Sequence, residues 1–213
     1  MLEKCIDYIS SHSAEILTQI GDHLLISLAA LLVAIVVGVP LGYYASVSKK
    51  SEKWIMGLFQ ILRVIPSLAL LILLIPVMGT GLKPAVTALS ILAIPPVLIN
   101  TCTGFLDVPD HMIESARGIG MTDREVLFRV RVPLALPMML AGIRTGLVEV
   151  VASATLAAKI GGGGLGEIIF TGLGLNRTDL LIIGGVLVAI LSLASAGIFD
   201  GICRILMPYK NYT

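Results

Sequence analysis

Charge is scarce in this chain. Lys, Arg, Asp and Glu make up 14% of its 213 residues against 56% hydrophobic, with a mean hydropathy of +0.97. A soluble domain cannot hide that much apolar surface, so a soluble globular fold is excluded. Aromatic residues are few, with one Trp and five Tyr, and form no obvious cage for a cation. Cys5, Cys102 and Cys203 stand far apart, in odd number and without a CxxC, which argues against a disulfide framework and leaves them as small apolar fillers. His12, His23 and His111 form no HExxH or comparable cluster, and no metal is assigned. A phosphate loop is missing too. The glycine run Gly161-Gly162-Gly163-Gly164-Leu165-Gly166 follows Lys159-Ile160 and ends in Glu167, without the Lys and Ser or Thr that would hold phosphate and magnesium. The chain is therefore not expected to hydrolyse ATP or bind a cofactor.

What is present is a series of long uncharged runs, from Leu24 to Ser48, Val64 to Leu82, Pro84 to Leu106 and Leu180 to Phe199. Each approaches the ~20 residues that cross ~30 Å of hydrocarbon as a helix. A fifth run, Leu134 to Ala158, is equally long but contains Arg144 and Glu149. Backbone amides in lipid must bond internally, and the runs show no period-two alternation, so helices are expected and a barrel is not. The expected class is an all-α polytopic membrane protein with five spans, at about 24–47, 55–79, 84–106, 134–158 and 179–206. No nucleic-acid partner is expected.

Lys and Arg positions set the orientation. With residue 1 outside, the inner segments hold Lys49, Lys50, Lys53, Arg117, Arg124, Arg129, Arg131, Arg204 and Lys210, whereas the outer ones hold only Lys4, Lys83, Lys159 and Arg177. An N-out, C-in chain is expected, with residues 107–133 in the cytoplasm and 208–213 as a cytoplasmic tail. Residues 1–22 carry Leu2, Ile6, Ile9, Ile16, Leu17 and Ile20 at roughly helical spacing and read as an amphipathic helix on the outer interface. The segment lacks the basic start and small-residue end of a cleaved signal peptide.

Within 107–133, Asp107 is positioned to cap a helix with Pro109 near its start, and Glu114 and Arg117 lie three apart on one face. Gly118 and Gly120 offer exits with positive φ. Thr122-Asp123-Arg124-Glu125 has the form of a capping box, opening a second helix that Pro133 stops or kinks. A helix, a glycine break and a helix, charged outside and apolar through Val126, Leu127 and Val130, suit docking into a groove on a moving partner. The plainer alternative is an interfacial loop helix between two spans.

One spacing favours docking. Glu114-Ser115-Ala116-Arg117-Gly118-Ile119-Gly120, then nine residues, then Val130-Arg131-Val132-Pro133, resembles the EAA loop of bacterial ABC importer permeases. That pattern is Glu-Ala-Ala, three residues, Gly, nine residues, Ile, one residue, Leu-Pro. Glu114, Ala116, Gly120 and Pro133 match outright, while Ser115, Val130 and Val132 replace Ala, Ile and Leu. The run from Ile160 to Gly166 resembles the Ile-Gly-x-Gly-Gly-Leu-Gly stretch of permeases for glycine betaine, choline, carnitine and methionine. With Arg63-Val64-Ile65-Pro66-Ser67-Leu68-Ala69-Leu70 and the short length, it points to the quaternary-amine branch.

The resemblance implies a type I ABC importer permease fold in a bacterial inner (cytoplasmic) membrane. It also implies a second permease subunit, identical or related, two copies of an ATP-binding subunit that uses ATP and magnesium, and an external solute-binding protein. The solute implied is glycine betaine, carnitine or choline, with methionine or another small amino acid derivative as the alternative. Glu114, Ser115, Ala116, Arg117, Gly118, Gly120, Thr122, Glu125 and Pro133 would couple to the ATPase. Residues 159–178, with Lys159 and Gly161 to Gly164, would form an outer gate. That segment reads either as a tight turn into a re-entrant helix, Leu165 to Leu173, or as a flexible loop.

Charged and polar groups at membrane depth are functional candidates because a lone charge there costs several kcal/mol. Arg144 and Glu149, five apart, make a poor helix pair, so their partners are sought on another helix or subunit. Glu149 either lines the path or belongs to a structural ion pair. Arg63 reads as snorkelling and Asn100 as helix-to-helix glue. Pro40, Pro66, Pro76, Pro95 and Pro96 are expected to kink or break spans, and Gly38, Gly42, Gly184, Gly185 and Gly197 to permit close helix contact. A membrane-embedded enzyme would need clustered Asp, His or Ser at one interface, which is not seen. A secondary transporter would need no docking helix.

Overall fold

A computed structural model describes residues 2–206, all of whose regular elements are helical. The expected tail at 208–213 lies outside the described residues. Four helices are long and apolar enough to cross a membrane: α2 (Ser13–Ser46), α5 (Leu82–Leu106), the continuous stretch Asp123–Ile160 that contains α8 (Val132–Ala154), and α10 (Thr178–Leu206). The rest are α1 (Leu2–Ser11), α3 (Lys49–Leu62), α4 (Ser67–Met78), α6 (Asp110–Gly118), α7 (Asp123–Val126) and α9 (Gly166–Gly174). A π-turn (Leu127–Arg131) joins α7 to α8, and a 3₁₀ segment (Thr155–Ile160) follows α8.

The bundle centres on α5, whose Ala85, Ala88, Leu89, Ala93, Val97 and Leu98 are fully buried. It can be enclosed because its neighbours present small residues. On α2, Ala30, Ala34, Gly38 and Gly42 recur every fourth position, which lets two backbones approach closely where lipid supplies no hydrophobic drive. A Cβ on Gly42 would stand 2.6 Å from the Leu98 carbonyl oxygen. On α8, a Cβ on Gly142 would stand 2.7 Å from the Pro96 carbonyl oxygen. Gly184 of α10 packs equally closely on Ile169 of α9, whereas Gly185 and Gly197 have open space beside them.

Three expectations need correction. The stretch 55–79 is not one helix: α3 and α4 meet at a 91° bend, where Pro66 lies in extended conformation. Proline disfavours helical geometry in the residue before it, which explains a break here. Pro40, Pro76, Pro95 and Pro96 lie inside continuous helices. α3 has no buried residue and leaves Trp54, Leu58 and Ile61 exposed along one stripe.

The second correction concerns the amphipathic segment at 1–22. It breaks at His12, and its latter half forms the first turns of α2, a helix of 34 residues and about 51 Å. Ile16 is buried with Leu165, Ile168, Leu180 and Ile183, and Cys5, Tyr8 and Ile20 pack against that cluster, so the segment leans on α9 and α10.

Third, Pro133 does not end a helix. Its ring would strike the Arg129 carbonyl in a regular α-helix. The π-turn widens the path there, with the Val132 N–H donating to Leu127 O five residues back, and the helix runs on.

Candidate functional site

The expected coupling residues gather at one end of the bundle. Asp107 caps the end of α5 without starting a new helix; α6 begins after extended Pro109 and has no side-chain cap. Gly118 stays helical, and Gly120 alone takes positive φ, at +88°. Arg117 pairs with Asp123 across that break at 3.0 Å, rather than with Glu114. The capping box forms as the sequence predicts: Glu125 N–H donates to Thr122 Oγ1 at 3.4 Å and Thr122 N–H donates to Glu125 Oε2 at 3.0 Å. Hydrogen bonds from the Thr122 backbone and hydroxyl hold the Glu125 carboxyl below its ordinary value, and Arg129 adds to this at 3.7 Å.

Behind the break, Arg131 places its guanidinium over the rings of Phe105 and Tyr43, at 5.6 and 6.0 Å. It thereby ties the element to the ends of α5 and α2. Sequence reasoning counted Arg131 only as a cytoplasmic charge; a contact spanning 88 residues to Tyr43 leaves no local signal. Of the hydrophobics expected on the docking face, Leu127 and Val130 are half-buried and Val126 is off the surface. Val126 is 2% exposed and faces inward, whereas Ile119 at 77% and Phe128 at 60% project from the surface beside exposed Glu114, Ser115 and Gly118.

The expected path residues are scattered. Asn100 donates to Pro96 O at 2.8 Å within its own helix, so it does not bridge helices by hydrogen bonding, although its Cβ is the surface that Gly142 packs on. Arg144 finds its partner on α10: Nε and Nη2 reach the two carboxylate oxygens of Asp200 at 2.7 and 3.0 Å. Asp200 was missed because it ends the uncharged run 180–199 and looked like a boundary. Glu149 is half-buried and makes no ion pair within 4.0 Å among the described residues.

At the opposite end, Gly164, Leu165 and Gly166 are buried, whereas Gly161 is exposed and Gly162 and Gly163 are half-buried. Lys159 lies over the Phe170 ring at 5.3 Å, and the Gly81 N–H donates to Ile160 O at 2.7 Å, joining the start of α5 to the end of the 3₁₀ segment. A Cβ on Gly164, at φ +88°, would stand 3.1 Å from His23 Nδ1, and one on Gly166 would overlap the Thr155 carbonyl oxygen. His23 is fully buried and its Nε2 meets Val151 O at 2.8 Å, an α2–α8 contact across 128 residues that leaves no local signal in the sequence.

Comparison with known proteins accords with this arrangement. A family model described as "Binding-protein-dependent transport system inner membrane component" matches residues 23–209. The chain is 41% identical over 192 residues to the glycine betaine/carnitine/choline transport system permease protein OpuCB of Bacillus subtilis (strain 168), covering 90% of this chain and 88% of that protein. It is 41% identical over 188 residues to the choline transport system permease protein OpuBB of the same organism, covering 88% and 87%. Among solved structures, an inward facing conformation of the MetNI methionine ABC transporter superposes with a TM-score of 0.72 at 22% identity, covering 87% of this chain and 94% of that one. That likeness bears on the fold alone.

Proposed function

This chain belongs to the family of binding-protein-dependent transport system inner membrane components, and on that premise we propose that it carries a quaternary amine of the glycine betaine, carnitine or choline kind across a bacterial cytoplasmic membrane. It is the permease subunit of an ABC importer, a multi-pass membrane protein whose ATPase lies in a separate subunit. The observation that carries the solute class is the 41% identity, over nine-tenths of the chain, to a permease named for those three solutes.

The working complex would hold two permease subunits, two ATP-binding subunits that use ATP and magnesium, and an external solute-binding protein. Residues 107–133 would seat in a cleft on the ATPase with Glu114, Ser115, Arg117 and Gly118 at the contact. Closure of the ATPase would then tilt α8, to which the element is joined without a break. In support of five crossings, α2 ends beside Arg131 through Tyr43, whereas α5 begins beside Ile160. The chain between them, the bent pair α3–α4, would have to return across the bilayer. The N-terminus would then lie outside and the C-terminus inside. A cysteine placed at Ser115 tests this orientation: it should react with a membrane-impermeant thiol reagent only from the inner face.

Lys159 and the glycines from Gly161 to Gly164 would belong to the outer gate, leading into α9 as a re-entrant helix. Glu149, held by no ion pair, would face the path, whereas Arg144 would be structural, locking α8 to α10 through Asp200. The test of the solute class is ATPase activity of the reconstituted complex with its binding protein. Glycine betaine, carnitine or choline should stimulate hydrolysis. Stimulation by methionine and by none of these would overturn the assignment.

A further inference from the structure

Beside the glycine run, Asp22 and Glu167 line a recess of about 320 Å³. Leu25, Ile26 and Leu82 form its apolar wall, and the backbone of residues 161–163 forms its floor. The volume sits at the lower end of the ~300–1,000 Å³ of small-molecule sites. Neither carboxylate makes an ion pair within 4.0 Å among the described residues, and no Lys or Arg lines the recess. Lys83 and Lys159 adjoin it in sequence, but Lys159 is engaged over Phe170.

An independent observation lies behind Glu167. Gln19 is 7% exposed, brings Nε2 to 3.5 Å from Glu167 Oε2, and has an Oε1 without a protein hydrogen-bond partner. A buried amide that turns its donor toward a lining carboxylate orients that carboxylate and leaves a further acceptor beside it, an arrangement that calls for a reason. On the other side Asp22 stands over the floor, its Oδ2 3.7 Å from where a Cβ on Gly163 would lie. The recess therefore sets two carboxylates against a wall of hydrocarbon. A small metal cation requires six or more oxygen ligands and gains nothing from a wall of Leu and Ile. A cation whose charge is spread under methyl groups uses both surfaces, with methyls against the wall and charge toward the carboxylates.

We propose that this recess is an entry station for a quaternary ammonium group, held by Asp22 and Glu167 before the solute passes between the helices. Its place in import rests on the function argued above; the affinity for the cation does not. Asp22 and Glu167 act by electrostatic concentration, since clefts lined by one sign of charge raise the local concentration of the opposite ion by ~10–1,000-fold.

The test uses the whole complex in proteoliposomes, carrying Leu82→Cys with Cys5→Ala, Cys102→Ala and Cys203→Ala. Trimethylammonium-ethyl and sulfonato-ethyl methanethiosulfonates are added from the outer face. With both carboxylates present, the cationic reagent should be favoured. Asp22→Asn with Glu167→Gln should lower the cationic-to-anionic rate ratio about tenfold. Tetramethylammonium chloride should slow cationic labelling about threefold or more in the first protein and not in the second, at concentrations where sodium chloride has no effect. If the double variant does not assemble, Asp22→Asn alone should lower the ratio by about threefold. A ratio unmoved by these substitutions, or protection by sodium equal to that by tetramethylammonium, overturns the proposal. Labelling requires neither ATP nor binding protein, so a complex deaf to betaines in the ATPase assay still reports on the recess. A betaine-stimulated complex with unaltered labelling would remove the recess alone.

Discussion

The two ends of the bundle use glycine for opposite purposes. Around Gly118 and Gly120 a Cβ would meet nothing within 4 Å, whereas Gly162, Gly164 and Gly166 are hemmed in by Ala157, His23 and Thr155. The first end is open, exposed and held together by its own short-range bonds, Thr122 to Glu125 and Arg117 to Asp123. The second is buried and held by contacts with remote segments. At the open end Gly120 is set by its positive φ of +88°, whereas nothing crowds Gly118 into being small. A surface without room has small residues that serve the fold.

Substitution separates the two purposes, beginning with the largest expected effect. Gly166→Ala drives a Cβ into a backbone carbonyl that cannot yield cheaply, and overpacking costs about 1–3 kcal/mol or more. It should abolish monodisperse protein in detergent, read by size-exclusion chromatography. A normal elution profile would show that the glycine end is loose after all.

Next comes the Arg144–Asp200 pair, which belongs to neither end. Asp200→Asn leaves the Arg144 guanidinium on α8 without the carboxylate that holds it to α10. Thermal stability in detergent should fall accordingly, and Arg144→Leu combined with Asp200→Leu should recover most of the loss. Equal loss in single and double variants would mean that the pair acts through something other than its charges.

Gly118→Ala belongs to the opposite class. In a helix Ala is preferred over Gly by about 0.5–1 kcal/mol, so the permease should be no less stable, yet solute-stimulated ATPase activity should drop if a partner seats against that spot. Glu114→Lys should give the larger drop, about thirtyfold for a contact worth ~2 kcal/mol, with insertion and stability intact. Unchanged coupling in both variants would make the open end an ordinary loop.

The smallest effect is on the cap. Thr122→Ala should cost about 1 kcal/mol, seen as faster amide exchange at residues 123–126. Because the Glu125 carboxyl titrates below its unfolded value of ~4.3, its contribution is present above that pH and lost as pH falls through the folded value. The difference in exchange between the natural chain and Glu125→Gln should therefore shrink in acid.

What was legible in the sequence follows the same division. The capping box could be read because its four residues lie within one turn, and α2, α5, α8 and α10 because hydropathy is a local property. Hydropathy did not show the 91° bend between α3 and α4, since Val64, Ile65 and the residues after Pro66 are as apolar as a straight helix would be. Arg131 on Tyr43, Arg144 on Asp200 and His23 on Val151 bridge helices far apart in the chain, and no spacing rule encodes them. The burial of Val126 was hidden for a subtler reason. Val126 and Ile119 are equally apolar, and only the turn at Gly120 decides which of them faces out.

The wide turn at Leu127–Arg131 accommodates one residue more than a plain helix would. Removing one residue there, Val130 for instance, would take away the slack that keeps the Pro133 ring clear of a carbonyl four residues back, so the junction to α8 should bend or break instead of closing as a regular helix. The segment is thus an expansion joint: one residue of slack carries a proline through the junction while the chain upstream stays continuous with α8.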